Sequence, residues 1–298
     1  MIKNNEKKGS GNGMFKKILI PISSEFYSKE ILKRGCFLAE KFNSTTKIIY
    51  IIEEKTLNQA EKRLNSYRTD FDKEETKKEI VQQHIDVADT IIFEDAKRLF
   101  TKKNIPVTVE IIEGEYSTVI AGQLNTYDYD LILMGFEKGC LLQYRLLSDV
   151  HVPIWVESCA GNKSILAVCS NLAPNQKVPE MSVRLSKILG WRLQMIYVID
   201  TEDKIAVDSL GKRSEKKSEK ELLLQGHKFV YEMEQKGLTV SVVKGSLEKE
   251  TARAAEDIGA GLVIVGREQK KKNIFGLPTK SVKKKMVEKC RYSILFVN

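Results

Sequence analysis

An internal repeat limits the possible folds of this chain more than any other feature of its sequence. KKILIPIS (16–23) matches KSILAVCS (163–170), and IIYIIE (48–53) matches MIYVID (195–200), both at an offset of 147 residues. At an offset of 131 residues, EIIEG (110–114) matches SVVKG (241–245), and DLILMG (130–135) matches GLVIVG (261–266); VPIWV (152–156) matches SILFV (293–297) at an offset of 141. Ordered matches of this kind predict two copies of one structural unit.

The matched segments have the composition of strands, and the segments between them have the composition of helices. Each matched segment is a short run rich in Ile, Val and Leu, which predicts strands that are apolar on both faces and buried in a parallel sheet. Residues 28–42 and 179–189 carry apolar positions at helical spacing, as does the charged stretch 56–103. The pattern predicts an α/β fold of two tandem, doubly wound, parallel five-stranded sheets, Rossmann-like, each with strand order 3-2-1-4-5. Ligands are expected at the carboxyl ends of strands 1 and 4, where the order reverses.

Composition indicates the cellular location of the protein and argues against a metal site and a membrane span. The chain of 298 residues is 42% hydrophobic, its five cysteines are scattered without a CxxC motif, and no apolar run approaches the length of a membrane span. We therefore expect a cytoplasmic protein with reduced thiols, no metal site and no membrane insertion. The first thirteen residues are polar and Gly-rich, which favours a flexible leader over 1–13. The net charge of +9 arises from acids and bases that interleave along most of the chain, which is typical of a solvated surface.

Several ordered motifs together resemble a known family. They are KKILIPIS followed by a helix, the second strand IIYIIE, the glycine after strand 3, strand 4 ending in MG or VG, and the terminal SVKKKMVEKCRYSILFV. In these motifs the sequence resembles the universal stress proteins, in a tandem two-domain form with domains at 14–158 and 163–298. The resemblance implies that the domains pair as a pseudo-dimer within one chain, through strands 152–156 and 293–297. It also implies a stress-response role, and for many members binding of ATP or AMP.

The first copy departs from the family's nucleotide site. Nucleotide-binding members carry an aspartate at the end of strand 1, where this chain has Ser23 and, in the second copy, Ser170. After strand 4 such members carry a loop of the form G-x2-G-x9-G-S/T, whose backbone N–H groups reach the phosphates. In the first copy only five positions separate Gly135 from Cys140, which aligns with the third glycine of that loop. We therefore expect the nucleotide loop to be deleted in the first domain.

The second copy keeps the length of this loop but not its glycines. Gly266 and Ser281 lie fifteen positions apart, close to the family spacing, but Gln269 and Lys280 replace the second and third glycines. The candidate ATP or AMP site of the second domain consists of Ser170, Val198, Gly266, Arg267, Gly276, Thr279, Ser281 and Val282.

Residues 265–282 leave three interpretations open: a solvated basic loop, a working nucleotide site, or a contact for an anionic macromolecule. The lysines lack interleaved aromatic residues, so we expect no specific nucleic-acid binding. His84, His151 and His227 are isolated, and no serine has a GxSxG context, so no catalytic residue is predicted. The leading hypothesis is a non-catalytic stress-response or regulatory module with an unknown protein partner, and a further homodimer is a candidate assembly. The alternative is an ATP or AMP sensor that uses the second domain only, with slow ATP hydrolysis as an added option.

Overall fold

The computed structural model describes residues 13–24, 27–53, 70–135, 150–158, 161–208, 213–267 and 292–297. Their strands are β1 (Lys17–Ser23), β2 (Thr45–Ile52), β3 (Val107–Glu113), β4 (Leu131–Gly135), β5 (Ile154–Glu157), β6 (Ser164–Ser170), β7 (Arg192–Ile199), β8 (Ser241–Lys244), β9 (Leu262–Gly266) and β10 (Ser293–Val297). Their helices are α1 (Lys29–Phe42), α2 (Asp70–Val87), a π-helical segment (Ala88–Phe93), α3 (Glu94–Thr101), α4 (Tyr116–Thr126), α5 (Val178–Leu189), α6 (Glu219–Glu234) and α7 (Leu247–Ile258).

All ten strands form one sheet in the order β3-β2-β1-β4-β5-β10-β9-β6-β7-β8. Each half of the sheet is parallel and has the predicted order 3-2-1-4-5, so the predicted fold class is confirmed. The halves meet where β5 and β10 run antiparallel, with Leu295 opposite Trp155. This junction relates the two halves as a pseudo-dimer. The domain bounds 14–158 and 163–298 stay a prediction, and residues 1–12 of the expected leader lie outside the described residues.

Local signals explain where the helices lie. Helix α1 begins after Ser28, whose hydroxyl accepts a hydrogen bond from the N–H of Glu30, and it ends at Asn43 in the left-handed region. Helix α6 begins at a capping box formed by Ser218 and Glu221. Helices α1, α3, α5 and α6 pack on one face of the sheet, and α4 and α7 pack on the other.

The prediction that all strands are apolar on both faces is wrong for the two outermost strands. β3 alternates between half-buried and exposed residues, and three of the four residues of β8 are exposed. Both strands pair on one side only, so their outer residues are not enclosed by a second neighbour. The central strands β4, β6 and β9 are buried almost throughout, as predicted.

Candidate functional site

The strand order reverses between β6 and β9, and the described part of the predicted site lies at the carboxyl edge there. Ser170 ends β6 and lies opposite Val198 of β7, so the structure brings these two predicted residues together. Val168 pairs with Val265, which places Gly266 at the same edge. Ser170 is fully buried, and Val198 belongs to the apolar cluster that packs beneath α7. The other predicted residues, Gly276, Thr279, Ser281 and Val282, lie outside the described residues.

A hydrogen-bonded turn follows Ser170 and fixes the chain at this edge. The N–H of Ser170 donates to Oδ1 of Asn175 at 2.9 Å, and Nδ2 of Asn175 donates back to the Ser170 carbonyl at 2.9 Å. The Ser170 hydroxyl accepts a hydrogen bond from the N–H of Leu172 at 3.2 Å. The hydroxyl that replaces the family's aspartate therefore has a structural partner in its own turn.

Asn171 ties this turn to the segment that follows β7. Its side-chain amide donates to the carbonyls of Asp200 at 3.1 Å and Ile205 at 2.7 Å, and its Oδ1 accepts the N–H of Asp200 at 2.7 Å. The N–H of Val207 donates to the Asn171 carbonyl at 2.7 Å. One buried amide thus joins the carboxyl ends of β6 and β7.

The turn also packs directly on the end of β9. A Cβ added to Gly266 would overlap the carbonyl oxygen of Pro174, so a glycine is required for this close approach. Leu172 and Ala173 are buried and join the same apolar cluster as Val265. The turn after β6 therefore lies against the end of β9, next to the point where the strand order reverses.

Arg267, another predicted ligand residue, contacts the first half of the chain. It is 1% exposed, and its guanidinium donates to the carbonyls of Val150 and Val152, the latter at 3.0 Å. Burial lowers the pKa of Arg267 to about 10. Its own N–H donates to the carbonyl of Val297 at 2.6 Å. The guanidinium therefore lies across the junction of the two halves.

Each half carries a buried carboxylate at this edge that the sequence analysis missed. Glu53 follows β2 and Asp200 follows β7, and both are at most 6% exposed. They correspond at the repeat offset of 147 residues, so the repeat itself contained the signal. Both halves lack the family's aspartate at the end of their first strand, but each half has a carboxylate just after the neighbouring second strand.

Asp200 is held by backbone donors. Its Oδ1 accepts the N–H groups of Glu202 at 3.0 Å and Asp203 at 3.2 Å, and its Oδ2 accepts the N–H of Leu247 at 2.8 Å. Burial raises the pKa of Asp200, and these three bonds oppose that rise. Because Leu247 is the first residue of α7, the carboxylate also caps this helix.

Glu53 is held differently, by side chains. The Ser23 hydroxyl donates to its carboxylate, and the Ser24 hydroxyl accepts its N–H at 3.1 Å. Tyr116, at the start of α4, donates to the Pro21 carbonyl at 3.3 Å, and burial together with Glu53 raises its pKa. The bonds of Glu53 thus include the hydroxyl groups of Ser23 and Ser24, whereas the Asp200 carboxylate accepts backbone N–H groups.

Elsewhere, the described residues include two free cysteines but no cluster of metal-ligand residues. No group of three or more His, Cys, Asp or Glu residues there could hold a metal ion. Cys36 and Cys169 are free and buried, and burial raises the pKa of both thiols, which disfavours the reactive thiolate. No helix in the described ranges combines the length and apolar character needed to cross a membrane.

Comparisons with known proteins agree with this architecture. Residues 14–151 match the sequence model of the universal stress protein family. A universal stress protein from Archaeoglobus fulgidus DSM 4304 superposes with a TM-score of 0.60 at 14% identity, covering 94% of this chain and 98% of its own. A protein from Pseudomonas aeruginosa UCBPP-PA14, named as a universal stress protein, gives a TM-score of 0.61 at 13% identity over 96% of this chain and 95% of its own. No curated protein sequence matches. Residues 14–151 therefore match the universal stress protein family in sequence, and the second half of the chain repeats the same fold.

Proposed function

We propose that this chain is a non-catalytic stress-response or regulatory module whose adenine-nucleotide site is lost in the first half and degenerate in the second. The observation that carries the proposal is the close packing of Pro174 on Gly266, with Leu172 and Ala173 buried beside it. A nucleotide at this switch point needs open space next to the end of β9. The packing of the turn after β6 against the end of β9 reduces that space.

The polar groups at the same edge support the proposal. The Ser170 hydroxyl and the Asp200 carboxylate accept hydrogen bonds from backbone N–H groups. The Arg267 guanidinium donates to carbonyls of the first half. Binding a nucleotide through these groups would require breaking bonds that fix the turn and the start of α7, and a broken buried bond costs about 1–3 kcal/mol.

The alternative is an ATP or AMP sensor that binds in the second half only, with slow hydrolysis. It is favoured by the retained spacing of Gly266 and Ser281 and by Gly276 between them. Phosphate contacts would then dominate, through N–H groups near Thr279, Ser281 and Val282.

Nucleotide binding is the test. Freshly purified protein would be denatured and its supernatant analysed by mass spectrometry for ATP and AMP, followed by calorimetric titration with both nucleotides. We expect no co-purified nucleotide and no heat. A stoichiometry near one per chain, abolished by Ser281→Ala combined with Gly276→Val, would instead establish the sensor. Two sites per chain would contradict both functions, because in the first copy Cys140 lies only five positions after Gly135, too few for a phosphate-binding loop.

The proposal includes the cytoplasm as the location and protein contacts as the mode of action. The buried free thiols of Cys36 and Cys169 fit a reducing compartment. An unknown protein partner or a further homodimer would transmit the signal, beyond the pairing of β5 with β10 inside the chain. Co-purification from cells under stress, followed by size-exclusion chromatography with light scattering, would distinguish these two assemblies.

A further inference from the structure

The two halves differ in how their helices meet over the second strand. In the first half, α1 packs directly on α3, and the thiol of Cys36 donates a hydrogen bond to the Leu99 carbonyl at 3.4 Å. Lys29 of α1 and Asp95 of α3 also form an ion pair at 2.7 Å. In the second half, the structure describes every residue of α5 and α6, and no hydrogen bond or ion pair joins these two helices. The space between them over β7 is left open.

This space is a cavity of about 710 Å³. An apolar cavity of about 150 Å³ is enough for one benzene ring, so this one has room for several rings. It lies on the α5 and α6 face of the sheet, whereas Leu172 and Ala173 belong to the cluster on the opposite face. Binding in the cavity is therefore independent of nucleotide binding at the carboxyl edge.

The floor of the cavity is apolar and aromatic. Tyr197, Val207 and Met233 line it and are buried. The ring of Phe229 lies 5.0 Å from the ring of Tyr197, centroid to centroid, at an angle of 37°. Leu238 completes the apolar lining after the end of α6. Such a floor favours a flat apolar body that packs against the Phe229 ring.

The charged residues of the lining balance one another. They comprise three acids and three bases: Glu180, Asp208, Glu232, Arg184, Lys228 and Lys236. On α5, Arg184 is paired with Glu180 at 3.7 Å. On the α6 side, the carboxylate of Glu232 lies one helical turn from Lys228 and one turn from Lys236, so opposite charges alternate there. The lining therefore attracts neither sign of charge, and a charged ligand would lose hydration on entering without a matching partner.

We propose that this cavity binds an uncharged molecule with several aromatic rings. The rings pack on Phe229 and Met233, and the affinity arises from apolar contact with the floor.

The probe for this site is N-phenyl-1-naphthylamine, whose fluorescence rises in apolar surroundings. The reference compound is 1-anilinonaphthalene-8-sulfonate, which has the same rings and one added sulfonate. We expect saturable binding of the probe at one site per chain. The sulfonate should bind at least about tenfold more weakly, because its charge lies between the two ring systems and must be desolvated with them. Added salt should not weaken binding of the probe, since no ion pair holds it.

Two substitutions test the cavity itself. Val183 lines the cavity from α5, so Val183→Trp should fill part of it and weaken the probe at least about tenfold. The matched control is Val87→Trp, at a position of α2 that is 43% exposed, and it should leave the affinity unchanged. Phe229→Leu keeps an apolar side chain but removes the ring, and it should weaken the probe about two- to tenfold. Circular dichroism of each variant establishes that it is folded.

The outer surface of α6 is the competing site for an apolar probe, because Leu224 and Tyr231 are 71% and 63% exposed there. Leu224→Ser combined with Tyr231→Ser should leave the affinity unchanged, and a loss as large as that in Val183→Trp would overturn the proposal. Absence of saturable binding up to the solubility limit of the probe would overturn it, as would equal affinities for the probe and the sulfonate.

Equal losses in Val183→Trp and Val87→Trp would overturn the proposal as well. So would binding that appears only in Leu210→Ser, because the occupant of the cavity would then be the chain's own segment 209–212, which lies outside the described residues.

Discussion

Replacing Arg34 by methionine tests how the two halves are held together. Arg34 of α1 donates from Nε and Nη2 to the carboxylate of Glu157, at 2.9 and 3.0 Å. Glu157 ends β5, and its carboxylate also accepts hydrogen bonds from Nε1 of Trp155 at 2.8 Å and the hydroxyl of Ser293 at 3.0 Å. Since Ser293 begins β10, this bidentate ion pair lies at the junction between the halves.

The burial of the two partners sets the expected magnitude. The Glu157 side chain is 2% exposed and that of Arg34 is 20% exposed. Removing one partner of a buried ion pair costs about 3–5 kcal/mol. Trp155 and Ser293 remain as donors to Glu157, so we expect the free energy of unfolding to fall by about 3 kcal/mol in Arg34→Met. Glu157→Gln should cost less, because the partly exposed guanidinium that it leaves behind can be hydrated.

Aromatic rings add to the stabilisation of Arg34. Its guanidinium carbon lies 5.6, 5.8 and 5.7 Å from the ring centroids of Phe37, Trp155 and Trp191. A cation–π contact contributes about 0.5–1 kcal/mol at exposed sites and more when it is desolvated. Methionine keeps some of this packing but none of the charge. Loss of the cation–π contacts therefore adds to the expected decrease of about 3 kcal/mol in the free energy of unfolding.

Tryptophan fluorescence during urea unfolding is the assay, because the chain has only two tryptophans and both contact Arg34. The control is Arg184→Met, which breaks an exposed pair of 3.7 Å whose side chains are 42% and 75% exposed. This control should cost less than about 1 kcal/mol. If Arg34→Met costs no more than Arg184→Met, or if Glu157→Gln is the more damaging change, the argument from burial is refuted.

Two further changes probe the turn after β6 and the hydrogen bond between Tyr50 and His84 in the first half. Gly266→Ala should lower the free energy of unfolding by about 1–3 kcal/mol, because the added Cβ overlaps the Pro174 carbonyl. The control is Gly122→Ala on α4, where the added Cβ meets no atom within 4 Å. This control should be neutral or stabilising in the same urea series. Burial lowers the pKa of His84, so its contribution to stability is present above its unfolded pKa of about 6.5 and is lost as pH falls below that value. His84→Gln should therefore reduce the loss of stability between about pH 6.5 and pH 5. The control is His227→Gln, at an exposed position of α6. If the free energy of unfolding of His84→Gln falls with pH as steeply as that of the wild type and of this control, the role assigned to His84 is contradicted.

The strands and their order could be predicted because buried parallel strands leave a clear signature in sequence. Segments such as 131–135 and 262–266 are apolar throughout, and they form the central strands β4 and β9. Local signals likewise located α1, since the helical spacing of apolar residues over 28–42 depends on residues that are close in the chain. The alternating exposure of β3 was not predicted, because exposure depends on which strand lies at the edge of the assembled sheet and not on the residues of that strand alone.

The contacts of the site could be predicted less well, because they join residues that are distant in the chain. Arg267 was assigned to a ligand site from its position after Gly266, yet its guanidinium bonds Val150 and Val152, more than a hundred residues away. Contacts between distant residues also distinguish Tyr50 from Tyr197: the Tyr50 hydroxyl is hydrogen-bonded to His84, whereas the Tyr197 ring packs on Phe229. Their strands match in sequence, but the partner of each ring comes from a helix whose sequence differs between the halves.

The two halves share one strand order and differ in the groups that bond the acid at each carboxyl edge. In the first half, the Glu53 carboxylate accepts a hydrogen bond from the side chain of Ser23. In the second half, the Asp200 carboxylate accepts three backbone N–H groups, and releasing it requires the start of α7 to move. Because main-chain displacement in a packed edge is more costly than a rotamer change, exchanging these donors of Asp200 requires more than a side-chain rotation. The repeat in the sequence predicts matching positions for these two acids but not the donors around them, because the donors come from segments whose sequences differ between the halves.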